Sequence, residues 1–249
     1  MVLTVLALLW PCGGPAAARE PVIPHSELPG LGSRDPRRPV DGGAMPWAAL
    51  GRVQTELGGR CTGTLIGPRT VLTAAHCLVA PRSGQLVRPS SVHFLLGYRQ
   101  GAWRARARAV ALTIGPGFDA RTRSPRGADW ALLTLDAPIS PAEGSLPLMT
   151  GFPPNGTPLM LGGYQQDRPE LLMADDDCRV LGVLRHGRHL LLAHDCAGTR
   201  GSSGAPLLAR TPDGGWAVAG AAVAAARRDA RGLAVPATTL RQEQERHGN

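Results

Sequence analysis

Apolar residues in this chain fall in short runs of strand length rather than in long amphipathic stretches. In the first part they are Thr70–Thr73, Val92–Leu96, Arg104–Ile114 and Trp130–Leu135. In the second they are Leu159–Leu161, Arg179–Leu184, His189–Ala193, Ala205–Leu208 and Trp216–Val223. Turn formers divide them: Gly67-Pro68, Gly115-Pro116-Gly117, Pro153-Pro154-Asn155-Gly156 and Asp213-Gly214-Gly215. Strand-length runs at this spacing predict antiparallel sheets and an all-β fold. Within Arg104-Ala105-Arg106-Ala107-Arg108 the arginines alternate with period two, so they read as the solvent face of a strand. Ala137-Pro138 to Pro147 reads as a connector between two halves. Only the tail, Pro236 to Arg246, predicts a helix, with proline at its start and Gln, Glu and Arg within.

Composition sharpens this picture. Gly (32) and Pro (23) are abundant and aromatics scarce, which favours many short strands joined by turns. At 249 residues the chain can bury one substantial core, or two in tightly packed halves. The net charge of +8 comes from arginine alone, since the chain has no lysine. No basic motif interleaved with aromatics accompanies that charge, so nucleic acid is not an expected partner.

The first residues have the pattern of a targeting segment. Val2 to Trp10 is apolar but too short to span a bilayer, and Ala16-Ala17-Ala18 follows as a small-residue cleavage signal. Residues 1–18 therefore read as a signal peptide, and the expected location is secreted or periplasmic, with no membrane span. Arg19 to Pro39, rich in Pro, Gly, Arg and Asp with little to bury, reads as a flexible leader or pro-segment. Cys12 falls in the removed part. Lipid attachment there is disfavoured, because Trp10-Pro11 are bulky and stiff where small residues are needed. Cys61, Cys77, Cys178 and Cys196 remain, an even set suited to an oxidising compartment.

Three segments carry chemistry together. Leu72-Thr73-Ala74-Ala75-His76-Cys77 ends an apolar run in small residues and sets a histidine against a cysteine. Asp129-Trp130-Ala131-Leu132-Leu133-Thr134-Leu135 places a carboxylate at the mouth of an apolar strand, costly unless something donates to it. Gly201-Ser202-Ser203-Gly204-Ala205-Pro206 offers a serine flanked by glycines. Each segment alone has a plainer reading: a structural histidine, an aspartate capping a strand entry, a Ser/Gly turn before a strand. In the chain order His–Asp–Ser they form the set that acyl transfer needs. A serine hydroxyl requires a base in reach, the base requires an orienting carboxylate, and the developing oxyanion requires donors.

These segments resemble those of chymotrypsin-like serine proteases, from about Val40 to the C-terminal helix. The resemblance implies two antiparallel six-stranded β-barrels, about 40–136 and 147–235, with the active site between them and a short helix at 236–246. By position it makes Ser203 the nucleophile, His76 the general base then acid, and Asp129 the orienting carboxylate. The N–H groups of Gly201 and Ser203 become the oxyanion hole, and Cys61 pairs with Cys77. The chain looks closer to bacterial secreted proteases of the glutamyl endopeptidase type. It has few loop insertions, and a Cys178–Cys196 pair would join the strands leading to the nucleophile loop. Ser202 stands where trypsin-like zymogens carry the aspartate that receives a newly cut N-terminus.

Specificity is less constrained. Ala197 occupies the place of trypsin's Arg/Lys-binding aspartate, and Ala222 stands about where glutamyl endopeptidases carry a histidine. Ala197, Arg200 and Ala222 are the candidate pocket residues. They describe a small or apolar pocket, with Arg200 at its rim or simply on the surface. His186, His189 and His194 near Cys178 and Cys196 fit no zinc spacing, and the cysteines are better used as a disulfide. Asp175-Asp176-Asp177 reads as a solvated acidic loop. No metal or other cofactor is expected, and the chain is expected to act as a monomer on peptide or protein substrates. The resulting expectation is an exported serine endopeptidase working through an acyl-enzyme. The alternatives are an esterase on the same triad, or a binding module on a protease fold.

Overall fold

The strand-length runs fold into two antiparallel sheets in the computed structural model, which describes residues 23–139 and 144–247. The signal segment and Cys12 lie outside the described residues. A two-residue strand β1 (Arg38–Pro39) precedes the first barrel. That barrel comprises β2 (Leu50–Thr55), β3 (Arg60–Gly67), β4 (Thr70–Thr73), β5 (Val92–Leu96), β6 (Ala105–Ile114) and β7 (Ala131–Leu135). It closes in the order β2-β3-β4-β7-β6-β5. Leu50, Val53, Leu65, Val71, Leu72, Phe94 and Leu133 fill it, all fully buried. Along β6, Arg106 and Arg108 face solvent while Ala107 and Ala109 are buried, as the period-two pattern predicts.

The second sheet contains β8 (Pro158–Gln165), β9 (Arg168–His186), β10 (His189–His194), β11 (Pro206–Arg210), β12 (Trp216–Ala225) and β13 (Gly232–Pro236). Its order is β1-β9-β10-β13-β12-β11-β8. The ring closes because β9 is long enough to serve two neighbours. Its first half pairs with β8 (Leu159 opposite Cys178), and its second half with β10 (Leu184 opposite Leu191). The interior is built largely of leucine and alanine, including Leu159, Leu161, Leu192, Leu207, Ala219 and Ala234. Helix α1 (Ala237–His247) follows Pro236 directly, which ends β13 and so fixes where the helix begins.

Three expectations change. Asp175-Asp176-Asp177 lies within β9, not in a loop, and Asp175 is buried. It accepts the Ala197 N–H at 2.7 Å and the Asp177 N–H at 3.3 Å. Burial outweighs these donors and raises its pKa above the ordinary carboxylate value. The segment before Val40, expected to have little to bury, buries Leu28, Leu31 and Arg37 against the second barrel. Its end, β1, adds a seventh strand to the sheet by pairing Arg38 with Ala174 and Pro39 with Met173. The second unit is thus a six-strand ring with an extra edge strand taken from the segment ahead of Val40.

Candidate active site

The histidine and the aspartate are brought together by strand pairing. Strands β4 and β7 run antiparallel with Thr73 opposite Ala131, so the residues after β4 and before β7 sit side by side. Past β4 the chain enters a 3-10 turn at Ala75–Leu78, and the neighbouring Ala74 and Ala75 are wholly buried. Before β7 a second 3-10 turn, Arg126–Ala128, ends at Asp129. The Asp129 carboxylate is buried and grips His76 twice. Oδ1 accepts the His76 backbone N–H at 2.8 Å, and Oδ2 lies 2.7 Å from Nδ1. A carboxylate oxygen facing Nδ1 at this distance suits the tautomer that donates from Nδ1, which is also the one that leaves Nε2 as an acceptor.

Thr62 and the Cys61–Cys77 disulfide hold the serine loop against this pair. The Thr62 N–H donates to the Ser203 carbonyl at 3.0 Å. The Thr62 hydroxyl donates to the Gly201 carbonyl at 2.9 Å and accepts the Tyr164 N–H at 2.9 Å. Cys61 and Cys77 form a disulfide, and Cys77 Sγ lies 3.8 Å from the Ser203 carbonyl oxygen. Gly204 is pressed so close that a Cβ there would stand 2.3 Å from the Thr73 hydroxyl and 2.6 Å from the Ala74 nitrogen. Only glycine lets the serine loop meet the strand that delivers His76.

Gly201 adopts φ +93°, where a Cβ would collide with the Tyr164 carbonyl at 2.2 Å. Among the described residues, the N–H groups of Gly201 and Ser203 donate to no acceptor. Two unengaged donors next to a serine are what a developing oxyanion requires. Ser202 turns inward instead, donating from its hydroxyl to the Thr199 carbonyl at 2.6 Å.

Beside Ser203 opens a cavity of about 270 Å³, lined by Arg200, Ala222, Arg231, Pro29 and His194 among others. Arg200 and Ala222 both line this cavity. Ala197 does not line the cavity; it is wholly buried behind it, against Leu28 and Leu31. His194 is the residue that sequence reasoning missed here. Its Nδ1 accepts the Cys196 N–H at 3.2 Å, and its Nε2 has no hydrogen-bond partner in the fold. Burial pushes its pKa down to about 4, so the ring stays neutral. Gly232 makes room for it, since a Cβ there would stand 2.5 Å from the imidazole. In sequence His194 figures only in the candidate zinc cluster with His186 and His189, and nothing in the pattern marks it as part of a pocket.

The three candidate metal-site histidines do not gather. His186 and His189 face each other at the exposed hairpin end, and His194 lies at the far end of β10. Cys178 and Cys196 form a disulfide. Cys61, His76 and Cys77 do lie within ligand reach of one another, but the two sulfurs are bonded together and offer no thiolate.

A pair of β-barrels with a His–Asp couple and a glycine-flanked serine at their junction defines the chymotrypsin-like class. Residues 36–240 match the family model described as Trypsin, and the chain belongs to that family. It is 31% identical to the human protein named Serine protease 56, over 68% of this chain and 30% of that one. A shorter stretch covering 28% of the chain is 36% identical to 22% of a Glutamyl endopeptidase from Bacillus licheniformis. Among solved structures, a Glu endopeptidase in complex with MPD superposes with a TM-score of 0.71. That overlap covers 88% of this chain and 98% of the other at 19% identity, which speaks to the fold alone. The chain spans between 30% and 52% of the length of the first curated relatives it matches.

Proposed function

We propose that this protein is an exported serine endopeptidase that cleaves peptide bonds through an acyl-enzyme on Ser203. The observation that carries the reading is the double grip of Asp129 on His76, which spends Nδ1 on the carboxylate and leaves Nε2 as the nitrogen available to a serine hydroxyl. His76 takes the proton of the Ser203 hydroxyl as the oxygen attacks the carbonyl carbon, then returns it to the leaving amine. Asp129 keeps the imidazole in the required tautomer and stabilises the imidazolium formed between those steps. The N–H groups of Gly201 and Ser203 receive the oxyanion, and water then hydrolyses the ester through the same base.

Export rests on the apolar segment followed by Ala16-Ala17-Ala18, and it fits two disulfides, which persist in oxidising compartments. Among the described residues no helix is long and apolar enough to cross a membrane. The test is labelling of the oxidised protein by a fluorophosphonate, with Ser203→Ala as control, alongside turnover of peptide and simple ester substrates. Labelling that needs Ser203, with peptide turnover, supports an endopeptidase; ester turnover alone supports an esterase. Absence of labelling on folded protein makes the chain a binding module and ends the enzymatic reading.

A further inference from the structure

The segment ahead of Val40 touches the nucleophile loop from two directions. The Gly30 carbonyl accepts the Gly198 N–H at 3.0 Å, at a φ of +82° where a Cβ would meet the Gly198 carbonyl at 2.1 Å. On either side of it Leu28 and Leu31 are buried against Ala197, and Pro29 forms part of the cavity beside Ser203. Seven residues further on, the side chain of Arg37 has no solvent exposure at all. Its guanidinium is held by Asp35 (2.8 Å), Asp167 (2.8 Å) and the Gln165 side-chain oxygen (2.6 Å). That same Gln165 oxygen accepts the Thr199 N–H at 2.8 Å. Thr199 in turn offers its carbonyl to both the N–H and the hydroxyl of Ser202. A continuous chain of hydrogen bonds therefore runs from Arg37 through Gln165 and Thr199 to the residue preceding Ser203.

A cation buried at this point has a consequence for how the site is assembled. In the zymogen scheme the nucleophile loop is ordered by a freshly cut amine reaching an aspartate beside the serine. Here that place is Ser202, already satisfied within its own loop, and the ordering charge arrives on a side chain of the uncut backbone. We infer that residues 28–37 are a constituent of the working enzyme, and that Arg37 is the positioning residue that orders the nucleophile loop without any cut before Val40. Gln165 transmits the restraint: its oxygen is shared between the Arg37 donor and the Thr199 donor, so losing the guanidinium frees the Gln165 side chain. The loop from Gly198 to Ser202 then loses the restraint relayed from Arg37 and keeps at Thr199 the bond from the Gln166 side chain, at 2.9 Å. This inference rests on the serine-protease reading, and its test separates the two.

The full chain is expressed for export, labelled with a fluorophosphonate, and the labelled species is weighed intact. Labelled protein that retains residues 28–37 is the expected result; labelling confined to species beginning at or after Arg38 overturns the inference while leaving the protease reading standing. No labelling of any species ends both. Arg37→Ala is expected to lower kcat at least tenfold with a smaller change in KM. Guanidinium ion at millimolar concentration should restore much of that loss, which a general destabilisation would not allow. Arg37→Ala with unchanged kcat overturns the assignment to Arg37. Should that variant fail to fold, as judged by its melting transition, Arg37→Lys provides the same comparison with the charge kept and the fork to Gln165 lost. The intact mass of the labelled native chain decides the question without any variant.

Discussion

Replacing Thr62 with valine removes one hydroxyl and leaves the shape of the side chain nearly unchanged, so the change isolates two hydrogen bonds. Thr62 is wholly buried, and its hydroxyl links the Tyr164 N–H on β8 to the Gly201 carbonyl in the serine loop, each at 2.9 Å. Tyr164 is itself buried, so its N–H finds no water once the hydroxyl is gone, at a cost of about 1–3 kcal/mol. Gly201 is only partly buried and its carbonyl regains some solvent, adding roughly 1 kcal/mol for the lost bond. The expected destabilisation is about 2–4 kcal/mol, read as a lower urea midpoint at unchanged slope. Activity should fall further than folding alone explains. Removing a whole oxyanion donor costs about 10²–10³ in kcat, and loosening the loop that aims one should cost about 10–100-fold with KM little changed. Thr62→Ser keeps the hydroxyl and should recover most of both losses. A valine variant within about 0.5 kcal/mol of the native protein and equally active would show that Thr62 is no clamp.

Two further outcomes follow from buried groups elsewhere in the second barrel. Replacing Cys178 and Cys196 together by serine opens a loop with a sequence separation of 18, worth about 3 kcal/mol in the chain-entropy picture. Denaturant unfolding checks this, and a loss under about 1 kcal/mol would mean that the packing of Leu159 and Val180 alone holds those strands. His194 predicts a pH dependence with a definite sign. Its folded pKa of about 4 lies below the ordinary value of 6.5, so the unfolded chain binds its proton first as pH falls. Stability attributable to this residue is complete above pH 6.5 and declines down to about pH 4, by about 3 kcal/mol at most. His194→Gln should remove that decline. Parallel pH profiles for variant and native protein would refute the assignment.

The sequence was most readable where chemistry and period coincided. The residues around His76, Asp129 and Ser203 combine an uncommon side chain with small neighbours, and the structure brings all three segments to the barrel junction. The alternating start of β6 and the continuous apolar run of β7 were also legible. Strands β2 and β3 were not, because Arg52, Gln54, Thr62 and Thr64 interrupt the apolar pattern. Of these, Arg52, Thr62 and Thr64 are buried all the same, which periodicity treats as a contradiction. Asp175 failed for the same reason: three consecutive aspartates look solvated until a backbone donor, the Ala197 N–H, is found at one of them. The segment before Val40 looked flexible because its composition is that of a linker. Its order comes from isolated contacts, Leu31 and Arg37 among them, whose partners lie more than a hundred residues away.

What those unreadable positions share is that they converge on one loop. The loop from Gly198 to Gly204 turns at Gly201 and Gly204, both at positive φ, which only glycine adopts without strain. It is fixed by Thr62 from the first barrel, by Tyr164 and Gln165 from β8, and by Gly30 from the segment ahead of Val40. No two of these elements are neighbours in sequence, so the loop acquires its shape only when both barrels and the segment ahead of Val40 have closed around it. The serine proposed as the nucleophile therefore sits in a loop whose geometry belongs to the assembled fold and not to the local sequence. Thr62 and Arg37 are buried with their polar groups paired, so the bonds that stabilise the fold are the same ones that set the shape of the loop around Ser203.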